Sequence, residues 1–128
     1  MNETYQVGET VTGLYKTGKY IGEITEIKQD RYVLKIKAVL KHPKQGDLHN
    51  PNQVNVPFFH ERRALGEREK TNVPKAYVKP YEGEVPPYRD SLKKALHEEM
   101  SHLEDESTEW SQKALENLKR LEKDYFGS

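Results

Sequence analysis

The 128 residues balance 21 Lys and Arg against 21 Asp and Glu, contain no cysteine, and are 34% hydrophobic and 33% charged. That length bounds one domain, or a small domain with an appendage, and that composition allows only a modest core. Zero net charge argues against a nucleic-acid binder relying on bulk attraction to phosphate. The lack of cysteine excludes disulfides, a thiolate nucleophile, a cysteine zinc site and a cysteine-borne lipid.

The opening "MNETYQVGETV" has no basic start followed by an apolar run, so it does not read as a secretory signal. Residues 5–40 read as strands. Val7, Val11 and Tyr15 sit among turn-forming glycines, and "KYIGEITEI" alternates, with Ile21, Glu23, Thr25 and Ile27 on one face. In "RYVLKIKAVL", Tyr32, Leu34, Ile36, Ala38 and Leu40 point one way and Val33, Lys35, Lys37 and Val39 the other. Period two with β-branched and aromatic residues is a strand signal, and "KQD" between the two runs predicts a tight hairpin. Gly22 inside a strand predicts a bulge or bend of the kind that closes small barrels.

A polar loop is predicted from Lys41 to Asn52, then a short strand around Val54–Phe58. "HERRALGEREK", 60–70, reads as one helical turn ending before Gly66. In "TNVPKAYVKPY", Pro74 forbids a central strand and predicts a 3₁₀ turn leading into a short strand at Tyr77–Val78. The Pro/Gly-rich "EGEVPPY" marks a linker over 82–88.

Beyond it the hydrophobic period becomes 3.6. Asp90 or Ser91 caps a helix lined by Tyr88, Leu92, Ala95, Leu96 and Leu103, with Met100 beside them. "DEST" interrupts the pattern, and Ser107 or Thr108 caps a second helix. Its stripe is Trp110, Ala114, Leu118, Leu121 and Tyr125, widened by Leu115. The short break predicts an antiparallel helical hairpin. The predicted organisation is a β-barrel domain over 1–81, a linker over 82–88 and a helical hairpin over 89–126.

The stretch "KHPKQGDLHNPNQVNVPFFHERR" holds three of the five histidines. His42, Asp47, His49 and His60 are metal-capable, but their spacing matches no motif that sets ligands on one helical face. In a loop rich in Asn, Pro and Gly, such side chains satisfy local backbone groups and shape turns. No metal and no cofactor is expected. In "FFHERR", adjacent Phe58 and Phe59 point to opposite faces of a strand, and Arg62 and Arg63 add forked donors. The candidate partner-binding residues are His49, Phe59, His60, Arg62 and Arg63. No catalytic residue is expected.

"NVPKAYVKPY" resembles the end of Src-homology 3 (SH3) domains, with Pro74, Tyr77 and Val78 at matching spacing. The aromatic–acidic opening motif of those domains is missing from "VGETVTGLYK". Over almost its whole length the chain resembles the kinase-associated protein B family of spore-forming Gram-positive bacteria. The residues carrying this are "VGE.VTG.YKTGKYIGE", "AVLKHPKQGDLHNPNQV.VPFFHERRALGEREKTNVPK" and "SLKKAL.EEM". The resemblance implies a small SH3-like β-barrel followed by a C-terminal two-helix hairpin, mainly β with α. It also implies a non-catalytic accessory protein that activates a sensor histidine kinase in the phosphorelay leading to sporulation. The expected location is cytoplasmic, with membrane association only peripheral, through the kinase. The expected partner is protein, not nucleic acid. The alternatives are an SH3-like module binding nucleic acid or a peptide, and a metal-dependent enzyme built on His42, Asp47, His49 and His60.

Overall fold

The computed structural model describes residues 5–46 and 61–127. Strands β1 (Thr10–Tyr15), β2 (Gly18–Ile27), β3 (Arg31–Lys41), β4 (Lys70–Pro74) and β5 (Val78–Pro80) form one antiparallel sheet in the order β4-β3-β2-β1-β5. A 3₁₀ turn, Lys75–Tyr77, joins the last two strands, as Pro74 predicts. The β2–β3 hairpin turns at the predicted "KQD", where the Lys28 N–H bonds the Arg31 carbonyl. The β1–β2 connection is tighter still. Lys16 and Thr17 both take positive φ, 46° and 70°, so the hairpin closes in two residues. That conformation is unfavourable for a β-branched residue, and the Thr17 hydroxyl helps hold it by accepting the Lys44 N–H.

The sheet curls until β1 meets β4. Inward-facing Gly13 makes this approach possible, since a Cβ there would lie 2.7 Å from Leu34 Cδ1 and 3.4 Å from Val73 Cγ1. Val11, Ile24, Leu34, Val73 and Val78 fill the interior, and Tyr5 packs edge-on against Tyr32. The register of β2 on β3 slips at three places, one of them at Gly22 as expected. The slip between Lys19 and Tyr20 leaves Leu40 half-buried and turns Val39 inward, which reverses the side that simple alternation assigns to Val39. Ile21 and its partner Ala38 are fully buried as well, so the two long strands are covered on both faces there.

Helix α1 (Tyr88–Glu106) packs across the open end of this sheet, placing Leu92 and Ala95 on Tyr20, Ile36 and Val39. Its N-cap lies three residues before Asp90 and four before Ser91, the expected caps, because Pro87 supplies a pre-set φ of −56° there. Ser91, expected as a cap, serves elsewhere: its Oγ accepts the Val39 N–H at 3.0 Å and donates to the Tyr88 carbonyl at 2.7 Å. Helix α2 (Glu109–Phe126) is capped by Thr108 in a reciprocal pair with Ser111. Trp110, Ala114, Leu118 and Leu121 face Leu96 and Leu103 of α1, as the sequence stripe requires. His97 and Glu122, 2.6 Å apart, tie the two helices at the surface.

The expected helical turn over 60–70 does not form in the described part. Residues 61–66 carry no regular structure, a turn follows at Glu67–Arg68, and β4 begins at Lys70. The reason is that the backbone groups of this segment are bonded by side chains from elsewhere. The expected strand around Val54–Phe58 lies outside the described residues.

Candidate functional site

Segment 61–66 lies at the junction of barrel and helices, where the polar groups of a non-repetitive backbone need partners. Gln45 supplies the first pair. Its amide donates to the Arg62 carbonyl at 3.0 Å and accepts the Arg62 N–H at 2.9 Å, as a neighbouring β-strand would. Three tyrosine hydroxyls supply the next groups. Tyr125 of α2 accepts the Ala64 N–H at 2.9 Å, and Tyr20 of β2 accepts the Leu65 N–H at 3.2 Å. Tyr88 of α1 donates to the Leu65 carbonyl at 2.6 Å. One short segment is thus stitched to the barrel and to both helices.

Burial pushes the Tyr20 and Tyr125 phenols up and raises Tyr88 to about 12, so all three stay protonated at neutral pH. His42 completes the junction. Its Nδ1 faces the Pro43 carbonyl at 2.9 Å, which places the proton there, and its Nε2 receives the Tyr125 O–H at 2.9 Å. Burial drives its pKa down to about 4, against the Pro43 carbonyl, which raises it. Both ring nitrogens are engaged, so this metal-capable residue holds structure.

Of the candidate partner-binding residues, His49, Phe59 and His60 lie outside the described residues, as does Asp47. The structure brings Arg62 and Arg63 to the junction. Arg62 Nε donates to the Gly46 carbonyl at 3.2 Å. Arg63 reaches Asp124 at 3.1 Å and lies over the Tyr125 ring, 5.2 Å from its centroid. Beside it Glu61 meets Arg120 at 3.2 Å. A cleft of about 300 Å³ opens here, lined among others by Tyr15, Lys16, Tyr20, Glu61, Arg62 and Arg63. Among the described residues, no group of three or more His, Cys, Asp or Glu is placed to hold a metal ion. The roles of Gln45, Tyr20, Tyr88 and Tyr125 leave no motif in the sequence. The only hint is that eight tyrosines outnumber three phenylalanines, where a purely apolar core needs no hydroxyls.

The charge is also not spread as the neutral total suggests. Residues 1–81 carry fourteen Lys and Arg against nine Asp and Glu, and residues 82–128 carry seven against twelve. The barrel is basic and the helical hairpin acidic.

The fold and junction define a small SH3-like β-barrel bonded to a two-helix hairpin, a scaffold that presents surfaces. The kinase-associated protein B family model matches residues 15–126, and the chain belongs to that family. It is 53% identical over 123 residues, 96% of each chain, to a Bacillus subtilis (strain 168) protein named kinase-associated lipoprotein B. The crystal structure of kinase-associated protein B from Bacillus cereus, 49% identical, superposes with a TM-score of 0.84 over 95% of this chain and 98% of that one. No residue of this chain can carry a cysteine-linked lipid, since none is cysteine. Among the described residues no helix is long and apolar enough to cross a membrane.

Proposed function

We propose that this protein is a non-catalytic accessory factor that binds a sensor histidine kinase and activates it in the phosphorelay leading to sporulation. Membership of the kinase-associated protein B family is the observation that carries this reading. The junction supports it: phenols held protonated and a histidine bonded at both nitrogens suit a rigid binding body better than acid–base turnover. The partner-facing surface proposed is the cleft at Arg62 and Arg63, together with the sequence neighbours His49, Phe59 and His60.

The test is a pull-down from cell extract with membranes included, scored for histidine kinases. Autophosphorylation of the captured kinase is then measured with and without the purified protein. Recovery of no histidine kinase, or an unchanged rate, overturns the reading. Arg62→Lys and Arg63→Lys lose the planar fork while keeping charge, so they weaken binding, and each is first checked for an unchanged melting temperature because Arg62 also bonds Gly46 and Arg63 bonds Asp124. If both, and His49→Ala, bind like the parent, the recognition surface lies elsewhere, and the outer face of the hairpin becomes the better candidate.

A further inference from the structure

The basic half of the molecule is concentrated on particular strands. Residues 10–22, 31–46 and 70–81 together hold ten Lys and Arg and no Asp or Glu. Within β1, Thr12 and Leu14 alternate with the buried Val11 and Gly13 and so face outward. Register places Lys79 opposite Thr12, Lys19 opposite Leu14, and Lys41 opposite Lys19. The Thr17–Lys44 hydrogen bond brings Lys44 to the hairpin end that carries Lys16. Lys16, Lys41, Lys44 and Lys79 are exposed, Lys19 is half-exposed, and none of the five takes part in an ion pair among the described residues. Leu14, 45% exposed, sits among them.

Lysines directly opposite on adjacent strands repel, so the Lys19–Lys41 pair raises the positive potential of this face, partly relieved at the Lys41 and Lys44 edge by Glu99 of α1. We propose that this outer strand face, built from Leu14, Lys16, Lys19, Lys41, Lys44 and Lys79, docks directly on an anionic lipid bilayer. Charge complementarity requires an anionic partner, and three features select a bilayer. The cations are all lysines, compact point charges suited to a diffuse charged surface, with no arginine fork among them to select a single carboxylate or phosphate. Leu14 projects an apolar side chain from the centre of the charge, which suits entry into the headgroup region and gives nothing to a phosphodiester strand. The hairpin, acidic in sum, is repelled by the same surface except where Glu99 faces Lys41 and Lys44, so the side carrying Leu14, Lys16, Lys19 and Lys79 turns toward the membrane. The inference goes beyond the proposed function and does not rest on it, since no kinase is needed for the contact.

The experiment is sedimentation of the purified protein with vesicles of phosphatidylcholine alone or with phosphatidylglycerol added, at low and high salt. The parent pellets only with the anionic vesicles and is released as salt rises, because screening shortens the reach of the lysines. Neutralising a lysine near the surface costs about fivefold in affinity, so Lys19→Gln/Lys41→Gln/Lys79→Gln together lose about 100-fold. That triple variant relieves the Lys19–Lys41 repulsion but gives up the attraction of Lys41 for Glu99, so its melting temperature is measured alongside to separate lost binding from misfolding. Leu14→Ser weakens vesicle binding without changing its salt dependence. A control triple, Lys28→Gln/Lys119→Gln/Lys123→Gln, binds like the parent. Equal binding to neutral vesicles, or a face variant that binds like the parent, overturns the proposal. So does binding of a single-stranded oligonucleotide under salt conditions where the vesicles are ignored.

Discussion

Replacing Tyr125 by Phe isolates what one hydroxyl does for the junction. The ring remains, with its edge contact to Phe126 and its face under Arg63, and only the oxygen is lost. That oxygen serves two groups at 2.9 Å, the Ala64 N–H and the ring nitrogen of His42, which is 3% exposed. A buried polar group left without a partner costs about 1–3 kcal/mol, so stranding both, in a half-buried site, costs about 2–4 kcal/mol. Urea unfolding at pH 7 measures this, with the slope unchanged if the native and unfolded ensembles keep their extent. The pH dependence separates the hydroxyl from the imidazole. His42 has its pKa lowered from 6.5 to about 4 in the folded state, so between those values the unfolded chain binds the proton first. Its contribution is therefore complete above about pH 6.5, falls as pH drops to about 4, and totals roughly 3 kcal/mol by linkage. Burial is the main cause of the shift, so Tyr125→Phe keeps this acid slope while His42→Gln removes it. Stability of Tyr125→Phe within about 0.5 kcal/mol of the parent, the range of an ordinary surface change, refutes the reasoning. So does an acid slope that survives in His42→Gln.

Gln45→Ala leaves both backbone groups of Arg62 without their partner and lowers stability by about 1–3 kcal/mol in the same assay. Gln45→Glu costs more than Gln45→Ala, because it sets a carboxylate against the Pro43 and Arg62 carbonyls that the amide now bonds. Trp110→Ala, at a buried position in the interhelical cluster, costs roughly 3–5 kcal/mol by thermal or urea unfolding. Thr108→Ala removes the N-cap of α2 and costs about 1 kcal/mol, and Thr108→Ser recovers most of it.

Periodicity made the two architectures legible. Tyr32, Leu34 and Ile36 alternate as the barrel interior needs, and Trp110, Ala114, Leu118 and Leu121 recur as a helix–helix seam needs. Pro74 located the 3₁₀ turn because its fixed φ and missing donor admit few local structures. What the sequence hid depends on contacts between distant residues. Ser91 reads as a cap from its neighbours alone, but the register slip in β2–β3 turns the Val39 N–H toward it from 52 positions away. Segment 61–66 looks helical from its charge pattern, yet Gln45, Tyr20, Tyr88 and Tyr125 offer its backbone better partners than its own next turn. The neutral net charge concealed a basic barrel and an acidic hairpin, because a sum carries no position.

The Gln45–Arg62 pair has a consequence for how such a protein can change over generations. By clasping the chain at two points 17 positions apart, it anchors the scaffold on both sides of the intervening stretch. The two bonds run from the Gln45 side chain to the backbone of residue 62, so the clasp constrains the two positions unequally. Position 45 has to keep its amide, whereas position 62 keeps the clasp with any residue that retains its N–H, so change over generations is confined at one end and open at the other.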